Sequence, residues 1–320
     1  MQYQWPKVYF VVVYFGLFPG YIQLWLDACA RNGKFNWLLL TDCDVTELVI
    51  PENVLVKKMD IVLLQKFFMD KLSCEIALAH SYKLCDYRPI YWLLLDHYAI
   101  EYDFWGYCDV DVVFGRLDRF ITQDMFDQYD KIGSYGHLTL FRNSWICKMS
   151  FALKGGKLSW NKVFCCHDNL GFDERHGINS IWRYNKLSYI NNTHMVADID
   201  PQYCSFRLTD VFKNHRLQMF YLLDGKILQG FFDFNGKWRT REYAYIHFQK
   251  RKMPFIPALA QTDGLLFTTA GFVKLDHLPV SKQALQKLIP SDAHFSLSQR
   301  FKIMRSCLRY YKNMLIDRLV

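Results

Sequence analysis

The chain has 320 residues, of which 51% are hydrophobic, 17% aromatic and 22% charged. This composition excludes an intrinsically disordered chain, and the length permits one large domain or two modest ones with a substantial core. The formal net charge of +8 favours anionic partners such as nucleotide diphosphates, acidic lipid headgroups or nucleic acid.

Cysteine usage and the first apolar run bear on the cellular compartment. The ten cysteines have no regular spacing and form no Cys-x-x-Cys pair. This is typical of reduced thiols in a cytosolic protein, and neither a disulfide framework nor a structural zinc site is expected. The apolar run at residues 8–18 lacks a basic leader and is too short to span a bilayer. We therefore expect a cytoplasmic protein whose membrane contact is peripheral.

The first part of the chain alternates β-branched or aromatic runs with apolar residues at helical spacing. Such alternation predicts an α/β fold with a mostly parallel central sheet and right-handed crossovers. Ligands of such sheets gather at the carboxyl ends of the strands, where Asp42, Asp109 and Asp111 fall. The predicted strands are residues 8–15, 35–40, 54–59 and 103–113, and the predicted helices are residues 21–31, 61–71 and 81–98, the last re-angled near Pro89.

Later patterns predict a second, less regular half. A helix at 118–129 and a strand at 136–142 precede a helical, aromatic region at 145–195. Antiparallel hairpins are then predicted around Gly225 and at Asn235-Gly236, a strong tight-turn signal, followed by a last strand at 243–248. We predict a catalytic domain over residues 1–255, with a nucleotide-binding half (1–117) and an acceptor half (118–255).

The C-terminal extension, residues 256–320, differs in kind. Within it, residues 298–320 alternate apolar and basic side chains at helical spacing, which predicts a basic amphipathic helix. Such a helix can lie on an anionic membrane surface. The alternative is a helix that packs on its own domain with a solvated basic face.

Asp109 and Asp111 lie one residue apart where an apolar strand is predicted to end. On a strand, alternate side chains share a face, so both carboxylates are expected to hold one Mn²⁺ or Mg²⁺ ion with positions left for a diphosphate. Such an ion neutralises charge on a departing nucleotide diphosphate. The alternative is a pair of carboxylates that cap a following helix.

Several blocks of the sequence form a specific combination with the Asp-Val-Asp motif. They are Tyr14-Phe15-Gly16, Leu39-Leu40-Thr41-Asp42, Tyr82-Lys83-Leu84-Cys85-Asp86, residues 103–111, Phe114-Gly115, residues 137–143, Phe172-Asp173-Glu174 and residues 245–253. By these blocks the chain resembles a bacterial GT-A-type glycosyltransferase-like family of polysaccharide (capsule, exopolysaccharide and O-antigen) biosynthesis. The resemblance covers about residues 7–253 and implies a GT-A-like (Rossmann-like) fold, a nucleotide-sugar donor and a divalent metal.

The resemblance also implies roles for residues late in the chain. His247 completes the metal shell as a neutral imidazole ligand, and Lys250, in the following basic run, meets the donor diphosphate. The alternatives are an ordinary core or surface histidine and a solvated basic face.

Four residues of the first half are expected to bind the donor. Lys83 and Asp86 share a helix face, where Lys83 reaches a phosphate and Asp86 accepts hydrogen bonds from sugar hydroxyls. The alternative is a surface ion pair. Tyr14 and Asp42, at the ends of the first two strands, are expected to bind the base and ribose, with strand-end capping as the alternative.

Asp173 and Glu174 lie in a loop that is predicted to open a helix. In inverting GT-A enzymes a carboxylate in such a place takes the proton of the acceptor hydroxyl, and Asp173 is favoured over Glu174. Acidic residues in a first helical turn also complement the helix dipole.

We therefore expect a metal-dependent glycosyltransferase that moves a hexose, with galactose and galactofuranose among the candidates, from a UDP-sugar to a glycan acceptor. Inversion at the anomeric carbon is favoured, and retention is the alternative that stays open. The acceptor is expected to be lipid-linked at the inner face of the cell membrane. Two alternatives stay open: a haloacid dehalogenase-type phosphatase with Asp109 as nucleophile, and a non-catalytic nucleotide-sugar-binding module. No nucleic-acid-binding motif is recognisable, so no nucleic-acid partner is expected.

Overall fold

The structure is a computed structural model that describes residues 4–203, 205–249, 251, 253–254, 264–289, 301, 304, 305 and 308. These residues form two compact units. Unit 1 takes in the described parts of Met1–Phe18, Trp25–Val110 and Leu117–Met195, and unit 2 takes in those of Pro19–Leu24, Asp111–Arg116 and Val196–Val320. The boundary between the units thus falls inside the Asp-Val-Asp motif.

The strands of the described residues are β1 (Val8–Tyr14), β2 (Phe35–Thr41), β3 (Val54–Lys58), β4 (Phe104–Cys108), β5 (Val112–Phe114), β6 (Lys131–Tyr135), β7 (Leu138–Arg142), β8 (Tyr189–Ile190), β9 (Val196–Asp198), β10 (Gln218–Leu223), β11 (Lys226–Phe232), β12 (Trp238–Tyr243), β13 (Tyr245–His247), β14 (Gly264–Thr268) and β15 (Gly271–Lys274). The α-helices are α1 (Ile22–Ala30), α2 (Ile61–Leu72), α3 (Leu84–Tyr87), α4 (Trp92–His97), α5 (Gln123–Gln128), α6 (Trp145–Met149), α7 (Trp160–Cys165), α8 (Ile178–Tyr184) and α9 (Lys282–Leu288).

Unit 1 is built on a seven-stranded mixed sheet with the order β3-β2-β1-β4-β7-β6-β8. The pairs from β3 to β4 are parallel, β7 is antiparallel to both β4 and β6, and β8 is parallel to β6. Gly106 permits the close approach of β4 and β7, because an added Cβ would lie 2.1 Å from the Thr139 carbonyl oxygen. The predicted α/β class is confirmed, and the sheet is mixed.

Aromatic side chains supply much of the unit 1 core. Trp105 on β4 stacks on Phe141 of β7 with ring centroids 4.7 Å apart, and Tyr87 stacks on Phe164 at 4.6 Å. All four side chains are fully buried. The high aromatic content therefore fills the interior of this unit, where each ring buries a large apolar area.

The predicted strand at 103–113 is wrong as a single element. β4 ends at Cys108 and belongs to the large sheet, whereas β5 begins at Val112 and pairs with β13 in unit 2. Asp109 and Asp111 lie in the bend between the two strands. Strand alternation therefore does not place their carboxylates on one face.

The predicted helix at 81–98 is interrupted, as expected near Pro89. A 3-10 turn at Ser81–Lys83 leads into α3, and a second 3-10 turn at Arg88–Ile90 separates α3 from α4. Proline has no N–H to donate to the preceding turn, which explains the break. The interruption fixes Arg88 at the junction between the two helices.

Unit 2 contains two sheets. The larger is antiparallel, with the order β12-β11-β10-β14-β15, and the smaller has the order β5-β13-β9. Both predicted hairpins are confirmed: Asp224-Gly225 joins β10 to β11, and Asn235-Gly236 lies between β11 and β12. One face of the larger sheet packs on α9 through Leu285.

In the described part of the chain, no helix has the length and apolar character needed to cross a bilayer. The predicted amphipathic helix at 298–320 falls outside the described residues, apart from four positions in helical conformation: 301, 304, 305 and 308.

Candidate functional site

One end of the smaller sheet of unit 2 gathers two carboxylates and a histidine. β13 pairs in parallel with β9 and antiparallel with β5, which puts His247 beside Asp198 on one side and Val112 on the other. Asp111 precedes Val112, and its carbonyl oxygen accepts a hydrogen bond from the Phe248 amide. The sheet register therefore brings the side chains of Asp111, Asp198 and His247 together.

The imidazole of His247 lies between the two carboxylates. Its Nδ1 is 2.8 Å from Asp198 Oδ1, and its Nε2 is 3.4 Å from Asp111 Oδ1. Burial alone lowers the pKa of His247, but the two carboxylates outweigh burial and raise the pKa to about 10. In the metal-free protein the ring is therefore protonated at neutral pH.

Asp198 is the residue that orients the ring. Its Oδ1 also accepts a hydrogen bond from Gln249 Nε2 at 3.1 Å, and its Oδ2 accepts one from Thr209 Oγ1 at 2.9 Å. Gln249 has a left-handed φ of 55°, a strained conformation of the kind that clusters at functional sites. A carboxylate on Nδ1 leaves Nε2 directed at Asp111, which is how metal-binding histidines are usually held.

Asp111 has one buried oxygen, Oδ1, that the described residues pair only poorly. Its partner among them is the His247 ring, whose Nε2 lies 3.4 Å away and makes no well-formed hydrogen bond to it. Leaving a buried carboxylate oxygen so poorly paired is costly. Carboxylate oxygen is also the ligand that hard divalent cations prefer. Asp111 Oδ1 and His247 Nε2 therefore fit a Mg²⁺ or Mn²⁺ ion, with Asp198 holding the ring.

In unit 1, Arg88 joins two of the predicted site carboxylates. Its Nη2 donates to Asp109 Oδ1, and its Nη1 donates to Asp173 Oδ2 at 2.7 Å. The guanidinium carbon lies 5.7 Å from the centre of the Tyr107 ring. Because the Arg88 side chain is only 13% exposed, this is a largely desolvated cation shared by two acids, and such pairs are geometrically well defined.

Asp173 is a buried acid with an unusual pKa. Burial raises its pKa to about 7, although the Arg88 guanidinium acts in the opposite direction. Tyr107 Oη donates to the Asp173 carbonyl oxygen at 3.2 Å. A carboxylate that titrates near neutrality suits proton transfer.

Gly136 lies in the turn between β6 and β7, where the backbone contacts Asp173 and Glu174. Its amide donates to Glu174 Oε1 at 2.6 Å. A Cβ at this position would lie 2.4 Å from both Arg88 Nη1 and Asp173 Oδ2. The glycine is thus the residue that allows the backbone to approach the ion pair.

Lys83 and Asp86 form an ion pair with no exposed surface on either side chain. Lys83 Nζ donates at 2.8 Å to Asp86 Oδ2 and to the carbonyl oxygens of Val163 and Asp168. Asp86 also accepts from the amides of Leu170 and Phe172. The pair therefore fastens the loop that leads to Asp173, and its assignment to donor binding stays a prediction.

Tyr14 and Asp42 lie at the carboxyl ends of β1 and β2, as predicted. Tyr14 Oη donates to the Leu17 carbonyl oxygen at 2.8 Å, and its ring stacks on Phe18. The exposed Asp42 accepts a hydrogen bond from the Gly16 amide at 2.8 Å. Both side chains order the loop after β1, and their role toward a base or ribose stays a prediction.

The structure thus brings Asp111 to His247 within unit 2, and Asp109 to Asp173 through Arg88 within unit 1. Lys250 lies outside the described residues. Arg88 and Asp198 are absent from the sequence prediction. The sequence does carry a signal for Asp198, because this residue follows a short apolar run at 195–197, just as Asp42 follows β2. The only sequence signal for Arg88 is its position before a proline.

The family of this chain follows from its match to a protein-family model. Residues 10–276 match the model described as "Family of unknown function (DUF6625)". The chain belongs to this family. No curated protein matches the chain in sequence.

Among solved structures, this member of the family is similar to the apo-form glycosyltransferase GlyE of Streptococcus pneumoniae TIGR4, with a TM-score of 0.32 and 11% sequence identity. The match covers 59% of this chain and 46% of that one. The chain therefore matches less than half the length of that protein.

Proposed function

We propose that the chain is a metal-dependent glycosyltransferase with a GT-A-like fold that moves a hexose from a UDP-sugar to a glycan acceptor. The observation that carries the proposal is the arrangement of Asp111, Asp198 and His247. A buried Asp111 oxygen lies 3.4 Å from Nε2 of the imidazole, and Asp198 holds the ring at Nδ1. Oxygen and neutral imidazole nitrogen are ligands that Mn²⁺ accepts.

A bound Mg²⁺ or Mn²⁺ ion would neutralise the charge that develops on a departing nucleotide diphosphate. Asp111 and His247 would hold the ion, and we propose Asp109 as a further ligand on the strength of the Asp-Val-Asp pattern. Because metal ligation requires the neutral ring, His247 gives up a proton when the ion binds.

The proton-transfer step is assigned to Asp173. Its pKa of about 7 allows it to take the proton from an acceptor hydroxyl and to return to the ionised form at neutral pH. Arg88 fixes the orientation of this carboxylate through the 2.7 Å contact, and Glu174 is the second candidate. A carboxylate base in this role implies inversion at the anomeric carbon.

The remaining residues are assigned to the donor and to the cellular context. Tyr14 and Asp42, at the strand ends, would meet the base and ribose, and Lys250 the diphosphate. The acceptor would be a lipid-linked glycan of bacterial surface polysaccharide synthesis, met at the inner face of the cell membrane with help from the basic C-terminal segment.

Release of nucleoside diphosphate from a panel of nucleotide sugars tests this proposal. Metal-free protein should hydrolyse or transfer at least one donor only after Mn²⁺ is added, and Asp111→Asn should abolish that release. Asp70→Asn, which changes an exposed carboxylate on α2, serves as the matched control and should keep full activity. Equal release with and without Mn²⁺, or no release from any donor, would contradict the proposal.

A further inference from the structure

The turn between β11 and β12 in unit 2 is held by a single carboxylate. Asp233 Oδ1 accepts hydrogen bonds from the amides of Asn235 and Lys237, and Asp233 Oδ2 accepts one from Arg239 Nε at 2.9 Å. The Gly236 amide donates to the Asp233 carbonyl oxygen, and Gly236 has a φ of 73°. This is a three-residue hairpin loop of well-defined geometry.

The tip of this ordered turn carries an aromatic side chain in solvent. Phe234 is 94% exposed. It occupies the second position of the turn, where geometry requires no aromatic residue and where proline or polar residues are preferred. Folding of the hairpin therefore does not explain the phenylalanine, and an ordered turn presents the ring without the entropic cost of fixing a flexible loop.

The adjoining edge strand is basic on one face. Arg239 and Arg241 are exposed and alternate along β12, so they point to the same side of the strand. The exposed Lys237 immediately precedes β12 and continues this alternation, since its carbonyl oxygen accepts a hydrogen bond from the Asp233 amide. Asp233 neutralises Arg239, whereas Arg241 has no carboxylate within ion-pair distance among the described residues. Lys237 and Arg241 thus leave positive charge on this face.

A neighbouring segment adds to that charge. Arg207 donates to the carbonyl oxygens of His215 and Arg216, and the His215 ring stacks on Phe231 of β11. Burial lowers the pKa of His215, and the nearby guanidinium groups of Arg241 and Arg207 lower it further. Arg207 and Arg241 therefore both lie near the His215 ring, on the side of the sheet where Phe231 is paired with Arg239.

We propose that the hairpin tip and the basic face of β12 dock on an anionic lipid bilayer, with Phe234 inserted among the headgroups. Charges on an edge strand also prevent edge-to-edge pairing. Prevention of edge-to-edge pairing accounts for the cations but not for Phe234, because an exposed aromatic ring beside an edge strand favours association. An apolar tip flanked by cations instead matches the charge and polarity profile of an acidic membrane surface. The docking is independent of the proposed transferase activity.

Co-sedimentation of the full chain with phosphatidylcholine vesicles, with and without phosphatidylglycerol, tests the proposal. Phe234→Ser should weaken binding to the acidic vesicles about tenfold, which corresponds to partial burial of one ring. Lys237→Gln combined with Arg241→Gln should weaken it about 25-fold, at about fivefold for each cation near the surface. Binding to pure phosphatidylcholine should be weak for every protein.

Matched changes elsewhere in unit 2 serve as controls. Val280→Ser removes a side chain that is 93% exposed, and Lys282→Gln with Lys287→Gln removes two cations from α9; both should bind vesicles like the unmodified protein. Wild-type affinity in both hairpin variants would overturn the proposal, as would a failure of the unmodified protein to bind acidic vesicles. A loss with the cation variant but not with Phe234→Ser would also overturn it, and would point to a soluble polyanion.

Discussion

The buried ion pair of Lys83 and Asp86 offers a sharp test of the unit 1 structure. Replacement of Lys83 by Met removes three hydrogen bonds of 2.8 Å and leaves the fully buried Asp86 without its cation. Removing one partner of a buried pair typically costs about 3–5 kcal/mol. In a unit of this size the loss corresponds to a fall of roughly 6–20 °C in the unfolding midpoint.

Thermal unfolding of the Lys83→Met protein, followed by circular dichroism, measures this loss. Lys162→Met, at an exposed position on α7, is the control and should stay within about 0.5 kcal/mol of the unmodified protein. Replacing Asp86 by Leu as well should bring no recovery, because the amides of Leu170 and Phe172 would then lose their acceptor. An unchanged midpoint together with weakened donor binding would refute this reasoning and would support the predicted role of Lys83 as a phosphate ligand.

Three further predictions concern the site. Metal binding should release close to one proton at pH 7, and metal affinity should rise about tenfold per pH unit toward pH 10, because the pKa of His247 is about 10 and ligation needs the neutral ring. Calorimetry in buffers of different ionisation enthalpy measures the proton release, and a pH-independent affinity would contradict this prediction. Asp173→Asn should lower transfer by about a hundredfold or more with donor affinity unchanged, and the unmodified rate should rise as pH increases through about 7; a near-normal rate eliminates Asp173 as the base. Gly136→Ala should destabilise the protein by about 1–3 kcal/mol and slow transfer, because its Cβ displaces Arg88 or Asp173, whereas Gly33→Ala, with open space around its Cβ, should be neutral in both assays.

Sequence patterns predicted the elements that depend on local signals. The β-branched runs of β1 and β2 and the Asn235-Gly236 turn were correct, because burial on both sheet faces and a left-handed glycine leave direct marks in the sequence. The single strand at 103–113 was wrong. Between Phe104 and Val113 the only charged residues are Asp109 and Asp111, and no turn signal divides the run. The run is divided because β4 and β5 pair with strands of different sheets.

The candidate site shows the same limit. The spacing of Lys83 and Asp86 correctly predicted a shared helix face, but the pair is buried by contacts with α7 and the loop after it, 80 to 86 residues away. Arg88 meets acids 21 and 85 positions further along the chain, and Asp198 meets a histidine 49 positions away. Contacts of this kind are set by tertiary packing, which no local pattern encodes.

The central claim is that a divalent cation joins this protein to the diphosphate of a nucleotide. Electron paramagnetic resonance of free Mn²⁺ measures that bridge directly, because the free-ion signal falls when Mn²⁺ binds. The account predicts that the protein lowers the signal, that UDP together with the protein lowers it beyond the sum of their separate effects, and that Asp111→Asn removes the synergy. Binding of Mn²⁺ and UDP that is strictly additive in the unmodified protein would contradict the claim.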